Sequence, residues 1–177
     1  MNRATSAALL ILLALGGCLE FGRASLAIDV HAKHMKVSFS GITSDIAPGG
    51  DVSGDVNDLR TMLADDAKAS VLGDVLGLGP VKYGPRKVTD GGDRLDGALD
   101  VAFERLSDVR ISGYDALRPY RYCPPRGMTV ASANAAYRDG RGCVIWDDTT
   151  QILRVELVLE SQPRGTSLVA AWRALGR

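Results

Sequence analysis

The stretch QILRVELVLE, residues 151–160, constrains this chain most. Leu153, Val155, Leu157 and Leu159 alternate with the charged Arg154, Glu156 and Glu160. A period of two puts the first set on one face and the second set on the other, so the stretch predicts a strand with one buried side. Just before it, RDGRG (138–142) carries the Asp-Gly pair of a tight hairpin turn. That turn joins MTVASANAAY (128–137) to CVIWD (143–147). Strands joined by short turns pair antiparallel, which sets the fold class toward hairpins.

The remaining segments extend the same reading. IDVHAKHMKVSF (28–39) reads as one strand whose inward phase slips at Lys33–His34, as a β-bulge would give. Pro, Gly and Asp make 44–55 a loop, and Asp55 is placed to cap a helix from Val56 to about Leu72. GDVLGLGP (73–80) breaks that helix. VKYGPRKV (81–88) reads as an edge strand because Pro85 cannot donate to a ladder. The segment 94–109 fits a strand or a helix; the turn TDGGD (89–93) before it favours a hairpin with 81–88. Thr166 is placed to cap a last helix, Ser167–Leu175. The sum is an α+β fold: a mostly antiparallel sheet of hairpins with two or three helices packed on one face.

Size and composition suit one domain with a real core. Charge balances overall but not along the chain. Residues 40–117 hold 8 Lys/Arg against 14 Asp/Glu, and residues 118–177 hold 9 against 5. Neither an internal repeat nor a low-complexity linker divides the sequence.

The N-terminal stretch carries a different signal. Arg3 is the only charged side chain before Glu20, and AALLILLAL (7–15) is wholly apolar. That run is too short to span ~30 Å of hydrocarbon and fits a signal-peptide core instead. It ends in Leu15-Gly16-Gly17-Cys18. An aliphatic residue, two small residues and a cysteine resemble the lipobox of bacterial lipoprotein signal peptides. The resemblance covers residues 1–18 only. It implies cleavage before Cys18, a thioether-linked lipid there with acyl chains such as palmitate, and membrane attachment through that N-terminal lipid. Residue 19 is Leu rather than the Asp of an inner-membrane retention signal, which implies the periplasmic face of the outer membrane in a Gram-negative host. The expected organisation is a signal peptide at 1–17, a short tether at 18–27 and a single domain at 28–177. Ser25-Leu26-Ala27 offers a competing site, with small residues where an ordinary signal peptidase reads them. A cut after Ala27 would release a soluble secreted protein.

There are three cysteines. With Cys18 assigned to lipid, Cys123 and Cys143 remain as one pair in an oxidising compartment. The alternative is two unpaired buried thiols. No CxxC is present to support a redox or zinc motif.

Candidate chemistry is sparse. His31 and His34 are the only histidines; an HxxH spacing on a strand sends them to opposite sides, so they are weak metal candidates. Asp90, Asp93, Asp96 and Asp100 are acidic, but their spacing fails the EF-hand template. RPYRYCPPR (118–126) interleaves Arg118, Arg121 and Arg126 with two tyrosines and is a candidate anion-binding patch. An envelope protein, a glycan or a lipid headgroup fits it better than nucleic acid, which an exported chain seldom meets. No G-x-S-x-G, H-E-x-x-H or P-loop is present, and no cofactor is implied. The expectation is an exported envelope lipoprotein with a non-catalytic binding or scaffolding domain. A carboxylate-dependent envelope hydrolase and a soluble binding protein cut after Ala27 are the alternatives.

Overall fold

A computed structural model describes residues 19–64, 73–160 and 165–175. The fold is α+β and mostly antiparallel. Its main sheet begins at the first described residue, with β1 spanning Leu19–Asp29. Strand β2 (His34–Ser44) returns beside it. Strands β3 (Lys82–Asp90) and β4 (Leu95–Ala102) form the next hairpin. Strands β7 (Met128–Ala133) and β10 (Ile152–Leu159) complete the order β3-β4-β2-β1-β10-β7, every pairing antiparallel. A two-residue strand β11 (Thr166–Ser167) pairs with the end of β2.

The core is built as rows across four strands. Leu153, Ile28, Met35 and Val101 form one row; Val155, Leu26, Val37 and Leu99 form the next. All eight are buried. Each large aliphatic side chain buried in this way contributes about 1.5–3 kcal/mol. The third row is Leu157, Ala24, Phe39 and Gly97. It ends at a residue with no side chain.

Two expectations about β1 and β2 need correction. Residues 19–27 are not a tether: they are most of β1, paired with β2 from Leu19 onward and with β10 from Arg23 onward. Nor is 28–39 one bulged strand. The phase slip is a hairpin turn over residues 30–33. Asp29 Oδ1 accepts the backbone N–H groups of His31 (3.0 Å) and Ala32 (2.8 Å), and Lys33 takes a left-handed φ of 51°. An Asp bonding its own backbone two and three residues on is turn chemistry, and it competes successfully with strand continuation.

Helix α1 spans Ser53–Ala64. Asp55, expected as its cap, lies instead in its first turn and is buried. The rest of the expected helix, 65–72, falls outside the described residues; residues 73–76, expected to break it, are themselves helical. Helix α2 spans Val169–Leu175, two residues shorter than expected because Thr166 and Ser167 join the sheet. The ambiguous 94–109 divides: 95–102 is β4, and Leu106–Val109 is a short 3-10 turn. β3 is an edge strand, as Pro85 requires, and its pairing shifts between Tyr83 and Arg86.

A smaller sheet carries the order β5-β6-β9-β8, from Ile111–Ser112, Tyr120–Tyr122, Val144–Trp146 and Tyr137–Arg138. The expected 128–137 strand is therefore split between two sheets at Asn134. Its Oδ1 accepts from Trp146 Nε1 and from the N–H of Arg154, both at 2.8 Å, and its Nδ2 donates to the Ile152 carbonyl. One side chain thus ties both sheets together. The Asp-Gly turn forms where expected, with Asp139 and Cys143 closing it.

Candidate functional site

The β6–β9 pairing places Tyr122 opposite Val144, so Cys123 and Cys143 meet just beyond the last pair. They are joined in a disulfide, with Cα atoms 4.2 Å apart. Asp139 organises the turn beside it. Its Oδ1 accepts the N–H groups of Arg141 and Cys143, and its Oδ2 takes both Nε (3.2 Å) and Nη2 (2.6 Å) of Arg121. The Arg121 guanidinium holds the Asp139 carboxyl below the usual range.

This geometry decides what the three arginines have available. Arg121 is committed to Asp139. Arg118 pairs with Asp115, Nη2 to Oδ2 at 2.8 Å, and its guanidinium lies over Tyr114 (5.4 Å) and Tyr137 (5.9 Å). Arg126 sits exposed in the turn before β7. Two of the three already have carboxylate partners.

Arg118 instead organises an aromatic patch. Tyr114, Tyr137 and Leu117 are exposed, Leu117 by 74%. The Leu117 carbonyl accepts the N–H of Asp148, in the loop that enters β10 at Ile152. Ile152 pairs with Asp29, so this patch lies toward the end of the main sheet opposite Leu19.

The histidines are not brought together as ligands. His31 is exposed in the β1–β2 turn, and His34 Nε2 lies 4.0 Å from Asp100. Among the described residues no three His, Cys, Asp or Glu side chains gather as a metal site would need. The acidic run is dispersed as well. Asp90 binds Arg173 through both carboxylate oxygens, Asp96 meets Arg94 and the Gly41 N–H, and Asp100 faces His34.

Beside the main sheet lies an apolar cavity of about 60 Å³, whose position no single sequence motif marked. It lies between α1 and the main sheet, and Leu19, Phe21, Phe39, Leu59, Met62 and Leu99 are among its lining residues. The nearest signal was Gly97. It occupies the inward phase of β4 between Leu95 and Leu99 and is one of the residues lining the cavity. A glycine inside a strand supplies no side chain to pack.

No family model matches this chain, and no curated protein or solved structure is significantly similar to it. Among the described residues no helix is long and apolar enough to cross a membrane.

Proposed function

We propose that this chain is an exported envelope lipoprotein, anchored through Cys18, whose domain binds a partner rather than catalysing a reaction. One observation carries the reading: residues 19–27, which a cut after Ala27 would remove, form most of β1. Cleavage before Cys18 leaves every described strand whole. Cleavage after Ala27 removes nearly all of a strand that pairs on both edges and supplies Ala24 and Leu26 to the core. The first cut keeps that strand in the product and the second loses it, which supports the first. The disulfide fits an oxidising compartment outside the cytoplasm.

Several features support binding over catalysis. Asp90, Asp108, Asp115 and Asp139 are each neutralised by an arginine, which leaves them poor general acids or bases. The exposed Tyr114–Arg118–Tyr137 stack and Leu117 have the composition of a protein interface, where Tyr and Arg are enriched. Because the patch lies toward the end opposite the anchor, it would face an envelope protein across the periplasm. Helix α1 lines one cavity with Phe39 and Leu99, and α2 contacts α1; both helices in this reading cover one face of the main sheet.

The test is the mass of the mature N-terminus isolated from membranes. A lipid-bearing Cys18 supports the reading, and a mature chain starting at Ile28 overturns it.

A further inference from the structure

We infer that the cavity between α1 and the main sheet holds the end of a long-chain acyl group. The inference rests on Cys18 as the anchor, because that is what brings acyl chains to the cavity's border.

Three observations carry it. First, Gly97 lines the space and ends the third core row without a side chain, so a larger residue there would intrude on Ile42, Phe39 and the cavity they line. A Cβ there would lie 3.2 Å from Ile42 Cδ1 and 3.6 Å from Phe39 Cδ2. Gly97 is not among the residues with positive φ, so backbone conformation does not demand glycine at this position. Second, a cavity of about 60 Å³ exceeds the ~10–15 Å³ that one water needs. Glu20, Arg86 and Lys87 also line it, but its surface is nearly all apolar and offers a water few partners. An apolar ligand is the chemical match, and Met62 on the helix side is a side chain that adapts to flexible ligands. Third, Leu19 lines the cavity and directly follows Cys18. A chain attached at Cys18, or one from the adjoining bilayer, therefore reaches it without crossing the domain. Each methylene buried is worth roughly fourfold in affinity, so even a short inserted end is held.

The experiment uses the mature protein purified from membranes. It is reconstituted in phosphatidylethanolamine–phosphatidylglycerol vesicles containing a trace of phospholipid with a diazirine near the acyl terminus. After irradiation, mass spectrometry should find adducts on peptides carrying Phe39, Met62 or Leu99. Gly97→Leu fills the cavity from the sheet and Met62→Phe narrows it from the helix. Both should lose most of the adduct while retaining the disulfide and the circular dichroism of the parent. If Gly97→Leu fails to fold, Met62→Phe and the milder Gly97→Ala carry the test, with graded loss expected. Adducts confined to the outer surface, or unchanged in the filled variants, overturn the inference.

A second arm identifies the source. Growth with a photoactivatable fatty acid, then irradiation, joins a cavity peptide to the Cys18 peptide if the chain's own lipid is the occupant; phospholipid-mass adducts identify a bilayer lipid. Cavity adducts on a protein whose Cys18 is unmodified would sustain the acyl site and defeat the anchor. A lipidated Cys18 without cavity adducts would do the reverse.

Discussion

Leu19, the first residue of β1, pairs with Ser44, the last residue of β2. The main sheet therefore reaches back to the residue adjoining Cys18. A lipid at Cys18 would have no slack behind it, and the domain would sit directly on the membrane surface. The near end of the sheet, with the β3–β4 turn and the end of β10, would face the lipid. The far end, with Tyr114, Leu117 and Tyr137, would face outward.

The strand's position makes the start site a folding question. A chain beginning at Leu19 is expected to unfold cooperatively, whereas one beginning at Ile28 should lack that transition. Circular dichroism with urea titration checks it. A cooperative transition in the shorter chain would mean that β1 is dispensable and would remove the main argument for the Cys18 cut. Within the full chain, Leu26→Ala should cost about 2–5 kcal/mol, as expected for a buried large-to-small change.

The disulfide closes a loop with a sequence separation of 20. In the chain-entropy account, losing a bridge of that size costs roughly 3 kcal/mol. Replacing both Cys123 and Cys143 by Ala should lower the urea midpoint accordingly. Intact mass under non-reducing conditions should place the parent two hydrogens below its reduced form. Two free thiols in envelope-purified protein would contradict both expectations.

Asn134 should matter more than its place outside any strand implies. Asn134→Ala removes the acceptor of the buried Trp146 indole N–H and frees two backbone groups at the sheet junction. Leaving a buried donor unsatisfied costs about 1–3 kcal/mol. Thermal unfolding followed by tryptophan fluorescence reads the loss. A variant as stable as the parent would show that the junction does not depend on this side chain.

Acid should expose the Asp90–Arg173 pair. Hydrogen bonds from Arg173 and the Gly92 N–H hold the Asp90 carboxyl down to about 2 in the folded protein, against 3.8 for the ordinary group. A folded pKa below the unfolded one stabilises above the unfolded value, and that contribution is lost as pH falls through the folded one. The gap in melting temperature between the parent and Asp90→Asn should thus be present at neutral pH and shrink between about pH 4 and pH 2. A gap independent of pH would mean that the pair contributes little through charge. The pair is surface-exposed, so added salt should narrow the gap as well.

Much of the strand pattern was legible because alternation reports burial directly. Leu153 to Leu159 needed only a period of two, and Pro85 marked an edge by the donor it lacks. Other features depend on contacts that spacing does not encode. Residues 19–27 read as a tether because Gly22, Arg23 and Ser25 blur the alternation, yet long-range pairing with β2 and β10 makes them a central strand. Asp29 turned an apparent bulge into a hairpin through side-chain bonds to its own backbone. Asn134 divided one apparent strand between two sheets through partners at residues 146, 152 and 154. The candidate sites fared similarly. The cysteine pair followed from counting once Cys18 was set aside. The arginine patch could not be judged from composition, since what limits Arg118 and Arg121 is the carboxylate each one meets in space. The cavity was not legible from spacing: Gly97 lines it, but what surrounds that glycine is set by Phe39 and Ile42 across the strands.

The most direct test of the account is the mass of the mature N-terminus from membrane fractions, compared between the parent and Cys18→Ala. The account predicts an N-terminal peptide beginning at Cys18 with added acyl mass, absent from the variant, whose signal segment is not removed at that position. A mature chain beginning at Ile28 in both proteins would contradict it.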